Sequence, residues 1–155
     1  MKTDMQIKKI GWLIAGFLLA SCVAQAQSHS GCAISPPEGW VQSAVRWDGA
    51  CQSGVADGLG VLKEFSGKNV KRLFFGLVKN GELKSGVIDQ EDGYIAGSFE
   101  HGRVVQNGDR QTVISAFDKG AAAAKEVAKR FEKAGNKASS QFYQAKAKAL
   151  REQMD

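Results

Sequence analysis

From Trp40 to Asn107 the chain consists of short runs in which β-branched, aromatic and aliphatic residues alternate with polar ones. Val41–Trp47, Leu59–Phe65, Val70–Phe75, Glu82–Ile88 and Tyr94–Phe99 each read as a strand, because the two-residue period puts their apolar side chains on one face. Turn signals separate them. Asn80-Gly81 suits the two positive-φ positions of a type I′ hairpin, and Asp92-Gly93 and His101-Gly102 are further tight-turn candidates. The simplest topology is an antiparallel meander of hairpins over residues 40–110. Beyond Thr112 the period lengthens. Ile114, Phe117, Ala121, Ala124, Ala128, Phe131, Gly135, Ala138, Phe142, Ala145 and Ala149 recur at steps of three and four, a heptad seam in a Pro-free, Ala- and Lys-rich tail. A single helix of about 40 residues would be ~60 Å long, more than a small sheet can cover. Gly135-Asn136 is therefore the expected break, and the tail over 111–155 is either one long helix or two antiparallel ones. The fold class expected is mainly β with a C-terminal α tail (α+β). The seam is expected to pack on the open face of the sheet or on itself, with partner binding or a surface-lying membrane helix as rival uses.

The first 26 residues follow a different logic. Lys2, Lys8 and Lys9 precede an uncharged run from Ile10 to Ala20, too short to span a bilayer, and Ala24-Gln25-Ala26 supplies a small-x-small cleavage site. This reads as an export signal. Leu19-Ala20-Ser21-Cys22 also resembles the bacterial lipobox, whose Cys is acylated and becomes the new first residue, so lipidation at Cys22 competes with cleavage after Ala26. Gln27 to Gly39, with Pro36-Pro37, reads as a short flexible linker. The expected location is the periplasm as a membrane-anchored lipoprotein, or otherwise a soluble periplasmic or secreted state.

Export changes the reading of the cysteines and of the charge. With Cys22 in the leader, Cys32 and Cys51 remain as an even pair in an oxidising compartment, which predicts a disulfide closing a loop of about 20 residues and stabilising the fold by roughly 3 kcal/mol. The leader's three Lys and one Asp account for +2 of the chain's +5, leaving +3. On an exported chain a modest positive charge points to an envelope protein or to membrane phospholipid headgroups, and not to nucleic acid.

The glycines recur in a pattern. Trp47-x-Gly49-x-Cys51-x-x-Gly54-x-x-x-Gly58-x-Gly60 is one unit, Phe74-x-Gly76-x-Val78-x-x-Gly81 a second with a displaced Gly86, and Ile95-x-Gly97-x-Phe99-x-x-Gly102 a third. The first unit is the longest, as if it held an insertion near Ser66-Gly67-Lys68-Asn69. Large residues two positions either side of a Gly share its strand face, so the Gly leaves room between them and the later Gly makes the turn. The pattern resembles the MORN repeat, Tyr-x-Gly-x-Trp-x-x-Gly-x-x-x-Gly-x-Gly. Here Trp47 stands at its first aromatic and Cys51 replaces its second. The resemblance covers Trp47 to Gly108. It implies a twisted sheet of stacked hairpins serving as an interaction or membrane-association module, with no catalytic residues of its own.

A search for chemistry finds little. His29 and His101 are the chain's two imidazoles, one near the leader and one in a turn. Asp89, Glu91 and Asp92 are the paired-carboxylate candidates for a cryptic cell-wall hydrolase, but they cluster at a hairpin loop. Gly58-x-Gly60 lacks the strand-to-helix setting of a nucleotide loop. No cofactor or metal is expected. The role expected is a non-catalytic envelope binding or scaffold protein, with an inhibitor or immunity-type protein of a periplasmic enzyme or toxin as the rival. The interaction surface is expected at Trp47, Phe74, Phe75, Tyr94 and Phe99 with Arg72, Lys79 and Arg103 as basic neighbours, and self-association through the helical tail is a further expectation.

Overall fold

The computed structural model describes residues 31–105 and 108–154. The export signal, the lipidation candidate Cys22 and His29 lie outside the described residues. Six strands, β1 (Val45–Gln52), β2 (Val55–Ser66), β3 (Asn69–Lys79), β4 (Glu82–Gln90), β5 (Gly93–Glu100) and β6 (Arg103–Val104), form one antiparallel sheet in sequence order, followed by helices α1 (Arg110–Lys133) and α2 (Lys137–Arg151). The meander and the two-helix tail agree with the sequence reading.

The strands run further than expected, because Gly49, Gly58 and Gly76, each just outside an expected run, lie inside them. Gly49, Gly60, Gly76, Gly86 and Gly97 are in register, one per strand, and form a row across β1 to β5. Large rings lie in this trough. The Trp47 indole rests over Gly49 and Gly60, and the Phe74 ring over Gly76 and Gly86; a Cβ at Gly76 would run into the Ser85 carbonyl, the Phe74 ring and the Gly86 Cα at once. The row is a close-approach device, in which missing side chains let rings contact the backbone.

The second set of repeat glycines makes the turns. Ser53-Gly54, Asn80-Gly81 and His101-Gly102 are paired positive-φ dipeptides, with φ of 50°/77°, 49°/76° and 49°/78°, the geometry of type I′ hairpins. All three lie at one end of the sheet. At the other end, Gly67 (φ 59°) and Lys68 form the two-residue loop between β2 and β3, so the expected insertion there is an ordinary turn between two long strands. Asp92-Gly93 is not a I′ turn, since Glu91 and Asp92 form the loop and the positive φ falls on Gly93.

The segment expected to be a flexible linker is, over its described part, a strap across the three I′ turns. The Ala33 N–H donates to the Gly54 carbonyl (2.8 Å), that of Ser35 to Gly81 (2.8 Å) and that of Glu38 to Gly102 (2.9 Å). Ile34 and Trp40 then cover the trough face, where they pack with Trp47, Leu62, Phe74, Val78, Ile88 and Phe99. The strap is fastened by the predicted Cys32–Cys51 disulfide, with Cα atoms 5.8 Å apart. Gln42–Ala44 is a 3-10 turn, so β1 starts four residues later than expected.

The opposite face carries the helices. Val61, Leu73, Phe75 and Val87 meet Phe117, Ala121, Ala124, Val127, Tyr143 and Leu150 in a second core. Gly120 allows the approach of α1, because a Cβ there would lie 3.2 Å from Val87 and 3.4 Å from the Phe75 carbonyl. The helices break at the expected place. Gly135 (φ 76°) ends α1 with its N–H on the Glu132 carbonyl and that of Asn136 on Phe131, a Schellman motif, and Asn136 then caps α2 by accepting from the Ser139 N–H (3.0 Å).

The break resets the phase of the seam. On α1 the expected positions Phe117, Ala121, Ala124 and Ala128 are buried, whereas on α2 the core takes Tyr143, Ala147, Leu150 and Met154 and leaves Ala138, Phe142 and Ala145 exposed. The heptad reading is wrong for α2, since a new cap restarts the helix and the larger Tyr143 and Leu150 gain more by burial than the alanines. Gly76→Ala should cost about 3 kcal/mol or more in unfolding free energy, because the obstacles are backbone atoms. Gly97→Ala should cost about 1 kcal/mol, because its one obstacle is the Val104 side chain on a two-residue edge strand. Urea titration of both variants measures the difference; equal losses would mean the row does not act by close approach.

Candidate functional site

Each residue expected to form an interaction surface can now be placed. Trp47, Phe74, Phe75 and Phe99 are buried and Tyr94 is half-buried, so this aromatic set is core and not surface. They also divide between the two faces: Phe74 meets Phe99 edge-on at 5.4 Å in the trough, while Phe75 faces Tyr143 (6.3 Å) and Tyr94 faces Phe117 (5.8 Å) under the helices. The Trp47 Nε1–H is satisfied by the Ala50 carbonyl (3.0 Å).

The three basic neighbours are engaged as well. Arg72 holds Glu64 in a fork, Nε to Oε2 at 2.5 Å and Nη2 to Oε1 at 2.9 Å, donates to the Gly39 carbonyl (3.0 Å) and stacks over Trp40. Glu64 is 1% exposed and also accepts from the Val41 N–H, so the pair fastens the end of the strap to β2 and β3. The hydrogen bonds from Arg72 hold the Glu64 carboxyl below its ordinary range; burial pushes the other way and is outweighed, with the Val41 N–H adding to the downward effect. Lys79 and Arg103 flank two of the I′ turns and are exposed, paired with Asp57 (3.8 Å) and Glu38 (2.9 Å).

The carboxylate candidates do not converge on a reaction centre. Asp89 lies under α2 in an ion pair with Lys146 (2.5 Å), and Glu91 and Asp92 are exposed at the β4–β5 turn. His101 occupies a positive-φ turn position. Among the described residues, no group of three His, Cys, Asp or Glu side chains is placed to hold a metal ion.

A cleft of about 220 Å³ opens where the end of α1 passes the outer strand β1, lined by Trp47, Asp48, Gly49, Val127, Arg130 and Phe131 with Ala134. Its charges are already used. Asp48 pairs with the buried Lys63, whose ammonium lies over the Phe131 ring, and Arg130 donates to the Gly49 carbonyl (3.1 Å). No hydroxyl, thiol or imidazole lines the cleft. Its polar groups therefore cap the edge of β1, where a bulge between Gly49 and Cys51 already interrupts pairing, and they protect that edge from a further strand. Burial pushes the nearby Tyr143 phenol well above its ordinary pKa, with the Asp48 carboxylate adding to the upward effect.

The excess of positive charge lies on the helices. Residues 110–154 contain ten Lys and Arg against four Asp and Glu, a net +6, while residues 31–109 contain eight against ten. On α2, Lys137 and Lys148 border an apolar strip whose direction the heptad seam does not give. The adjacent Phe142 and Tyr143 were the available signal, since neighbouring aromatics on a helix cannot both face one core. Comparison of the chain with known protein families, with curated proteins and with solved structures finds no match.

Arg72→Ala should destabilise the fold by about 3 kcal/mol, because it leaves a buried carboxylate unpaired. Glu64, with its folded pKa depressed below 4.5, contributes stability that is present above that pH and lost as pH falls through the folded value. The stability gap between the parent and Glu64→Gln should accordingly narrow below about pH 4.5. A gap independent of pH in acid titrations would show that the pair does not carry this linkage.

Proposed function

We propose that this chain is an exported, lipid-anchored envelope protein that binds rather than catalyses, a MORN-like sheet of stacked hairpins backed by a helical pair. The observation that carries the reading is the disulfide-fastened strap. Cys32 and Cys51 are brought together across a fold whose polar side chains are spent on holding it shut, which supports a rigid module maturing in an oxidising compartment. No described helix is long and apolar enough to cross a membrane, so attachment in this reading comes from acylation at Cys22.

The hydrolase alternative loses ground for a specific reason. A general acid or nucleophile among Asp89, Glu91 and Asp92 would need a second carboxylate facing it across a substrate-sized gap, and Asp89 is instead tied to Lys146 beneath α2. In this reading the periplasmic side of a membrane is the working place, and the partner is an envelope protein or the lipid surface itself.

Expression with a radiolabelled fatty acid should label the parent and not Cys22→Ser; an unlabelled parent would sink the lipoprotein reading. Removing the crosslink with Cys32→Ser and Cys51→Ser should lower the unfolding free energy by about 3 kcal/mol, which denaturant titration measures. Stability equal to the parent's would remove the strap from its structural role.

A further inference from the structure

We propose that the outer face of α2 docks onto anionic phospholipid, with Phe142 as the inserting side chain and Lys137 and Lys148 as headgroup contacts. Ala138, Phe142, Ala145 and Ala149 follow one another at steps of four, three and four and line up along the helix. This line lies on the opposite side of the helix from Tyr143, Ala147, Leu150 and Met154, with one edge of the Phe142 ring resting on Tyr143 (centroids 5.0 Å apart) and the rest left open. Phe142 is 47% exposed, the one large aromatic side chain so exposed among the described residues. At 100° per residue, Lys137 and Lys148 border the strip on one side as its exposed cations, while on the other side Lys146 is held by Asp89 with its ammonium 5.8 Å from the Phe142 ring centroid.

Charge decides what covers this strip. A second copy would bring Lys137 and Lys148 against their own counterparts, and the helical pair as a whole carries +6. An anionic bilayer surface matches that charge. A lipid interface also needs no shape complementarity, so a narrow strip with one aromatic side chain and a cationic border is sufficient for it. Two weak attachments suffice when they act together. The inference rests on the envelope reading in one respect: acylation at Cys22 would leave nine residues, about 30 Å of extended chain, before Cys32, and would hold α2 at high local concentration near the bilayer.

The test uses the leader-free chain from Gln27 onward, which retains every described residue and has no acyl group. It is sedimented with vesicles of phosphatidylcholine alone and with vesicles containing 30% phosphatidylglycerol, in low and high salt. Binding should be at least tenfold tighter to the anionic vesicles and should weaken with salt. Phe142→Ala should weaken it at least threefold and Lys137→Glu with Lys148→Glu at least tenfold, with far-ultraviolet circular dichroism and the thermal midpoint unchanged. Equal binding to both vesicles, no binding, or variants that bind like the parent would each overturn the proposal. Phe142-dependent dimerisation in sedimentation velocity without vesicle binding would also overturn it and would assign the strip to a second copy. Fatty-acid labelling at Cys22 reads the anchor independently, so failure of the face and failure of the anchor are separate results.

Discussion

The close approach of aromatic rings to the backbone at Gly49, Gly60, Gly76 and Gly86 is the constraint on which the rest of the structure depends. A small sheet with helices on one face still has a second face to bury, and a short N-terminal segment cannot supply a full layer of cover. The glycine trough solves this by letting Trp47 and Phe74 lie low against the strands. Ile34, Trp40 and their neighbours then suffice to close that face. Each ring excludes water from main-chain hydrogen bonds as well as from its own surface, and a fully buried Phe contributes about 2–3 kcal/mol relative to an exposed one.

Charged pairs then fasten each covering layer. On the trough face Arg72 and Glu64 bind the end of the strap, and on the helical face Lys146 ties α2 to Asp89 of β4, while Lys63, paired with Asp48 across β1 and β2, sets its ammonium over the Phe131 ring of α1. Buried pairs of this kind add little net stability compared with apolar replacements, but they penalise any arrangement that leaves one charge without its partner. They specify where the layers sit. The same economy places Asp89, one of the carboxylates singled out in the sequence, in a pair with Lys146.

Much of the architecture was legible from local chemistry. Asn80-Gly81 and His101-Gly102 are hairpin turns because few other dipeptides accept two positive φ values, and Gly135-Asn136 ends one helix and caps the next for equally local reasons. The parts that were not legible depend on distant partners. Nothing within Gly31 to Gly39 announces that its backbone will pair with three turns far along the chain, and its prolines suggest a linker. An Arg two residues before Phe74 looks like a surface cation until Glu64 is placed beside it by strand pairing. The α2 strip was visible as a seam, but its direction was not, because a helix that restarts after a break owes nothing to the phase of the one before. The aromatic residues expected at an interface thus sit in the two cores, Trp47, Phe74 and Phe99 on the trough face and Phe75 and Tyr94 beneath the helices.

The crosslink that fastens the strap also determines how the molecule carries load. Tension entering from the N-terminal side reaches Cys32 and passes through sulfur directly to Cys51. Residues 33–50, which include the strap's turn contacts, Trp40 and most of β1, lie inside the closed loop and are bypassed by the force. A chain tethered at that side would therefore transmit a pull into the sheet at the β1–β2 turn while the aromatic cover remained mechanically slack, protected by a covalent shunt and not by the strength of its own hydrogen bonds.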